Sequence, residues 1–301
     1  MALDRRVRKG ATDTLTAYFY DGGETPVDKG AVTVSVASDL GTVLQSGGAT
    51  NTTGTYTFAL SATATAALDR LTVTWTSGTE AQQTFVEVVG GFYFELAELR
   101  AMNDMSAVTY PTERLRAARQ WIEFIIDKEV NASFVRRYSR DNFNFARDPF
   151  VATGNIGIDI QPYRAFTLRE QYAKAILSLS VAGVALTAPQ LAAITVDPVN
   201  RIVRLDGGPW SYGYGVVDVR YEAAFTDTCP SDLHDVSLQA ARWHLISTDG
   251  ASGIPNRATS ITNDLGNIQL STAGNRRPTG IPDVDAVIMA YADQVRVPAL
   301  A

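Results

Sequence analysis

Apolar and polar residues alternate with a period of two through residues 12 to 89. Leu15, Ala17 and Phe19 alternate with threonine and tyrosine, and the pattern recurs in the segments VTVSV, TYTFAL and LTVTW. Alternation of this kind is typical of half-buried strands. Because such segments recur with turn signals between them and without a helical stretch, they predict an antiparallel β-sandwich over residues 1–90. Residues 21–30 and 46–54 are expected to be its exposed loops, and Gly90-Gly91 its boundary.

The pattern changes to helical spacing after residue 92. ELAELRAM (95–102) predicts a short helix, and Pro111 opens a long one in which Leu115, Ala118 and Ile122 share a face. Trp121 and Phe124 widen that apolar face, so we expect the helix to be buried on more than one side, either inside a subunit or between subunits. Further helices are predicted from Ser231 and from Pro282.

Between the two long helices, residues 166–221 predict a β-rich insert that includes a hairpin turning at Ala182-Gly183. The segment from about residue 249 to 281 is rich in Gly, Pro, Asn and Thr, and we expect an arm without structure of its own until it binds something. Residues 91–301 are therefore expected to form a second domain. The predicted fold class is α+β.

Composition and charge restrict the function. The chain has 301 residues, of which 46% are apolar and 19% charged, with a net charge of −6. A protein that grips nucleic acid over a large surface needs a basic surplus, and this chain has none. Arg5, Arg6, Arg8 and Lys9 are expected to form a solvated terminus before the first strand. No apolar run is long enough to span a bilayer, so we expect no membrane association.

The residues that usually perform catalysis do not form a recognisable pattern. The chain has one cysteine, Cys229, and two histidines, His234 and His244, which would lie about 80° apart around one helix. Cys229 is expected to be a small packed residue. Asp283 and Asp285 are expected to act on the helix dipole. We therefore expect no enzymatic activity, no cofactor and no metal site.

The C-terminal block resembles one family of proteins. It reads IPNRATS, LSTAG and TGIPDVDAV in order, after the segments YPTERLRAARQWIEF, RIVRLDGGPWSYG and PSDLHDVSLQAARW. These segments resemble the head-to-tail connector (adaptor) proteins of tailed bacteriophages, particularly those of actinobacteriophages, over about residues 92–296. The sandwich is similar in architecture to the immunoglobulin-like modules of phage structural proteins. The core family does not require such a module.

The resemblance implies a structural virion protein at the head-to-tail junction. It implies a homo-oligomeric ring, dodecameric in the family, placed between the portal protein and the next connector, stopper or tail protein. DNA would pass through the lumen without specific binding. An alternative is a virion-associated module that binds a host surface or glycan through the sandwich loops.

The sequence also suggests which side chains form interfaces. The candidates are large apolar residues on the predicted helices and arginines of the arm. They are Trp121, Phe124, Trp243, Arg257, Arg276, Arg277, Val284, Val287, Ile288 and Tyr291. The stripe formed by the last four of these is expected to need a partner surface on the portal or on a neighbouring subunit.

Overall fold

The computed structural model describes residues 5–20, 25–144, 165–199, 201–205, 216–248, 260–263, 266–269 and 277–296. The fold class is α+β, as predicted. The chain divides into two compact units, the first comprising Met1–Gly91 with Arg137–Arg140 and the second comprising Phe92–Arg136 with Asp141–Ala301.

The first unit is a two-layer β-sandwich, which confirms the predicted architecture. One sheet has the order β1-β8-β7-β3-β4, and the other has the order β2-β6-β5. The strands are β1 (Arg5–Arg8), β2 (Asp13–Tyr18), β3 (Thr33–Ala37), β4 (Val43–Gly48), β5 (Thr50–Thr52), β6 (Thr55–Leu60), β7 (Asp69–Ser77) and β8 (Glu80–Val89).

The alternating residues form the core between the two sheets. Trp75, Tyr56 and Val36 are fully buried there, each on the inward side of its strand. The β7–β8 hairpin closes at Gly78, whose φ of 57° suits the first central position of a two-residue loop. The inward face of each strand is therefore the one that the period-two pattern indicates.

Two expectations for the first unit are wrong. Residues 46–54 do not form one exposed loop, because β4 and β5 occupy most of that range. Strand β4 was not predicted because Gly47 and Gly48 have a low propensity for strands. The basic cluster is not simply a solvated terminus, because β1 pairs in parallel with β8. Within β1, Arg6 forms a 2.8 Å ion pair with Glu87.

The second unit contains five helices within its described residues. Four of them, α1, α2, α4 and α5, enclose one hydrophobic core. The bounds are α1 (Leu96–Ala101), α2 (Thr112–Val130), α3 (Ala188–Ala192), α4 (Ser231–Thr248) and α5 (Pro282–Arg296). All but the short α3 were predicted. At the C-terminal end of α2, Asn131 takes a left-handed φ of 60°.

The β-rich insert is present as two sheets around a separate core. Their orders are β10-β14-β13 and β12-β11-β15-β9. The strands are β9 (Arg137–Asn144), β10 (Ala165–Thr167), β11 (Ala173–Val181), β12 (Val184–Ala185), β13 (Ile194–Asp197), β14 (Ile202–Leu205) and β15 (Val216–Ala223). The hairpin predicted at Ala182-Gly183 joins β11 to β12.

The arm is not devoid of secondary structure. Within it, β16 (Ser260–Asn263) and β17 (Gly266–Gln269) pair as an antiparallel hairpin. The expectation of an unstructured segment is therefore wrong for these strands. Backbone pairing between neighbours in sequence needs few apolar residues, which is why the composition of the arm did not predict it.

Candidate subunit interface

Helix α2 lies at the centre of the helical core. Its residues Leu115, Ala118, Ile122, Ile126 and Val130 are all buried, following the spacing that predicted them. They pack with buried residues of α1, α4 and α5. One face of α2 is therefore buried within its own subunit.

Two charged residues lie inside this core, and the sequence reasoning missed them. Glu123 is fully buried, and its carboxylate accepts a 3.1 Å hydrogen bond from the backbone N–H of Tyr93. The guanidinium of Arg119 lies 3.3 Å from the centre of the Phe92 ring. Their burial could have been predicted from the sequence, because both residues lie on the same side of α2 as its buried apolar residues. Together they fix the start of the second unit against α2.

The outward face of α2 presents aromatic side chains. Phe124 is 61% exposed, and Trp243 on α4 is 48% exposed. Trp121 is half-buried and stacks on His244 with the ring centres 4.1 Å apart and an angle of 13° between the planes. Burial, followed by the nearby charge of Arg114, lowers the pKa of His244. His244 is therefore a neutral stacking partner at physiological pH.

The stripe on α5 is not available to an external partner. Val284 and Ile288 are fully buried, together with Ala292 and Val295, in the core formed with α2 and α4. The expectation that Val284 and Ile288 need a partner surface on the portal or on a neighbouring subunit is wrong, because other helices of the same chain cover them. An apolar stripe indicates that a helix face is buried but does not indicate against what.

The other two members of the stripe are partly buried. Val287 packs against the same core. Tyr291 donates a 2.7 Å hydrogen bond to Asp232 and lies edge-on to Phe134, with the ring centres 5.0 Å apart. Both residues attach α5 to its own subunit and remain partly exposed, so their part in an interface with another protein stays a prediction.

A buried carboxylate anchors the turn that leads into α5. Asp285 accepts hydrogen bonds from the backbone N–H of Thr279 (2.9 Å), the Thr279 hydroxyl (2.6 Å) and the backbone N–H of Gly280 (3.1 Å). Asp283, in the same helical turn, is exposed. The expected role in the helix dipole therefore understates Asp285, which fixes the direction in which the arm enters the helix.

The arginines of the arm complete the list of candidates. Arg277 is exposed at the end of the arm. Arg257 and Arg276 lie outside the described residues. A role of Arg257, Arg276 and Arg277 in an interface stays a prediction.

The histidines and the cysteine have separate surroundings. His234 lies between Glu98 (3.3 Å) and Asp235 (2.9 Å), whereas His244 contacts Trp121. Cys229 is partly buried, and burial, aided by the charge of Glu123, raises the pKa of its thiol to about 12. The thiol is therefore protonated and a poor nucleophile at physiological pH.

The described part of the chain has no group of three or more His, Cys, Asp or Glu residues placed to hold a metal ion. None of its helices is both long and apolar enough to cross a membrane.

The fold thus defines a two-unit α+β protein in which a β-sandwich accompanies a helical core. No protein-family model matches the chain, and no curated protein matches it. Among solved structures, it is similar to a chain of the "Neck of empty GTA particle computed with C6 symmetry". That similarity has a TM-score of 0.38 and 15% identity, and it covers 69% of this chain and 92% of the other.

The chain is also similar to the extracellular domain of mouse leukocyte-associated immunoglobulin-like receptor 1, from a strand-swapped dimer. Here the TM-score is 0.21 and the identity 11%, covering 30% of this chain and 84% of the other.

Proposed function

We propose that this protein is a structural component of a phage-like virion, a head-to-tail adaptor. Its subunits form a ring, dodecameric as the family resemblance implies, between the portal and the next connector, stopper or tail protein. The DNA passes through the lumen. The sandwich of residues 1–90 accompanies an adaptor domain of residues 91–301.

The observation that carries the proposal is the place of the family-like segments in the fold. YPTERLRAARQWIEF forms the first two-thirds of α2, PSDLHDVSLQAARW forms most of α4, and TGIPDVDAV forms the anchored turn and the start of α5. The resemblance therefore involves the segments that build one hydrophobic core. A match in core-forming segments supports a common architecture more strongly than scattered surface identities would.

The surface of the helical core supports an assembling role. Phe124 and Trp243 are exposed, and large aromatic residues are enriched in protein–protein interfaces. The net charge of −6 suits a conduit, because a basic lumen would hold the DNA that must pass through it.

Electron microscopy of virions that carry a gold-labelled copy of this protein tests the proposal. Label at the neck, together with ring-shaped class averages of the purified protein or of isolated necks, is the expected result. Label on fibres or on a baseplate would contradict it and would support a host-binding module instead.

A further inference from the structure

Strand β9 is divided between the two compact units of the chain. Its first half, Arg137–Arg140, groups with the sandwich, and its second half, from residue 141 to 144, groups with the second unit. The strand reads RYSRDNFN and contains neither glycine nor proline, the residues that usually interrupt a strand. The boundary between the units therefore lies inside one continuous strand.

The first half of β9 is bound by a carboxylate in the turn between β3 and β4. The hydroxyl of Tyr138 donates a 2.8 Å hydrogen bond to the Asp39 carboxylate, and Arg140 forms a 2.8 Å ion pair with the same oxygen. Arg140 also donates a 3.1 Å hydrogen bond to the backbone carbonyl of Asp39. Asp39 is itself fixed to β7, because its backbone N–H donates to Asp69 over 3.3 Å. Hydrogen bonds to ionised groups are among the stronger ones in proteins.

The second half of β9 is held by the insert. Asp141 is buried, and its carboxylate accepts hydrogen bonds from the Tyr221 hydroxyl (2.9 Å) and from the backbone N–H of Arg169 (2.8 Å). Phe143 is buried in the core of the insert beside Phe166, with the ring centres 5.6 Å apart. Each half of the strand is therefore fixed by its own unit.

We infer that β9 couples the β3–β4 turn of the sandwich to the core of the insert. Coupling between two places in a protein needs an element whose state both of them influence. Strand β9 is such an element, because Asp39 restrains its first half while Asp141 and Phe143 restrain its second half. Release of either half is therefore expected to loosen the other.

The coupling makes the sandwich an integrated part of the subunit. The chain passes between the units at Gly91-Phe92 and again on both sides of residues 137–140. Domains of one chain generally move relative to each other unless something restrains them. The further crossings supply such a restraint, which Asp39 maintains. This inference concerns the subunit by itself and does not depend on the adaptor role.

Hydrogen exchange of the full chain, resolved to single residues, tests the coupling. Asp39→Ala removes the acceptor of Tyr138 and Arg140. We expect amide exchange to become about tenfold faster throughout residues 137–144, since a hydrogen bond to a charged group shifts a local opening equilibrium by about that factor or more. Faster exchange limited to residues 137–140, or no change in β9, would overturn the inference.

Glu80→Ala is the matched control for the loss of a carboxylate. Glu80 forms a 3.0 Å ion pair with Lys29, so both partners lie within residues 1–91. The substitution removes the same charge from the sandwich without touching the partners of β9. We therefore expect unchanged exchange in residues 137–144. Acceleration equal to that of Asp39→Ala would show a general effect of charge and would contradict the specific attachment.

Tyr138→Phe tests the attachment with a smaller change. The variant keeps the ring and loses only the hydroxyl that binds Asp39. We expect a smaller acceleration in the same residues. Added to Asp39→Ala, Tyr138→Phe should cause no further acceleration, since the acceptor is already absent. Additive effects of the two substitutions would overturn the attachment.

Coupling is reciprocal, so a change in the insert should reach the sandwich. Phe143→Leu loosens the packing of the second half of β9 against Phe166. We expect faster exchange in the β3–β4 turn, residues 38–42, and unchanged exchange at the turn of the β7–β8 hairpin. A β3–β4 turn that exchanges as in the parent chain would overturn the coupling. Circular dichroism identical to that of the parent chain verifies that each variant is folded.

Discussion

Asp283 and Asp285 lie in one helical turn and yet have different roles. The carboxylate of Asp285 is buried and receives three hydrogen bonds from Thr279 and Gly280, whereas Asp283 is exposed. Both lie in the first turn of α5, so the sequence alone predicts the same favourable interaction with the helix dipole for each. Only the path of the chain before α5 shows that one of them holds the preceding turn.

Replacing Asp285 tests this difference. Asp285→Ala leaves the donors of Thr279 and Gly280 without their acceptor in a buried place, so we expect the free energy of unfolding to fall by about 1–3 kcal/mol. Asp283→Ala is the matched control and should cost less than about 1 kcal/mol. Urea denaturation measures both. Equal losses in the two variants would contradict the anchoring role.

His234 gives the subunit a pH-dependent contact between α4 and α1. The hydrogen bond to Asp235, and then the contact with Glu98, raise the pKa of His234, against the opposing effect of burial. The pKa of Glu98 is lowered, first by the hydrogen bond from the backbone of Glu95, so its carboxylate stays ionised as His234 becomes protonated.

The sign of the pH dependence follows from this raised pKa. The stabilisation that protonated His234 provides is fully present below pH 6.5, the pKa of this histidine in the unfolded chain. It is lost as the pH rises through the higher pKa of the folded protein. We expect His234→Gln to lower the free energy of unfolding by less than about 1 kcal/mol, more at pH 5.5 than at pH 8.5. Denaturation of both proteins at the two pH values measures it, and a loss independent of pH would refute it.

At the scale of elements, α5 is an integral part of the helical core. Val284, Ile288, Ala292 and Val295 are buried against α2 and α4. A helix that merely docked on a partner would leave this stripe exposed in the subunit. Removing α5 would instead expose the inner faces of α2 and α4.

Substitution inside α5 gives the corresponding prediction. We expect Ile288→Ala to lower the free energy of unfolding by about 2–5 kcal/mol, because it leaves a cavity in a packed core. The control is the exposed Gln294 on the same helix. Gln294→Ala should change the free energy of unfolding by less than about 0.5 kcal/mol. Thermal and urea denaturation measure both. A neutral Ile288→Ala would mean that α5 does not belong to the core.

At the scale of the whole molecule, the hydrophobic cores follow the division into two units. The core of the sandwich contains residues from Val7 to Val88, and the cores of the helices and the insert contain residues from Tyr93 onward. Among the residues that the structure describes, none belongs to both the core of the sandwich and a core of the second unit. Each unit therefore has its own source of stability.

We expect residues 92–301 to fold without the sandwich. The fragment should melt cooperatively and give a circular dichroism spectrum of mixed helix and sheet, because the described residues of its two hydrophobic cores all lie within it. Calorimetry and circular dichroism of the fragment beside the full chain measure this. A molten or insoluble fragment, with a well-behaved full chain, would show that the sandwich is required.

Much of the fold could be predicted because its signals are local. The inward residues of the sandwich strands, the long helices and the hairpin at Ala182-Gly183 follow from periodicity and turn chemistry. Where the local signal is weak, as at Gly47-Gly48 or in the arm, strands were missed, since pairing with a neighbouring strand outweighed low propensity.

The sequence by itself determined which faces of the strongly patterned strands and helices are apolar and which segments resemble the adaptor family. Only the tertiary structure decided what covers each face. The stripe of α5 is closed by its own subunit, while Phe124 and Trp243 are left exposed. The physical reason is that apolar burial has no direction: a pattern records that a surface avoids water, and the fold alone supplies the surface against which it packs.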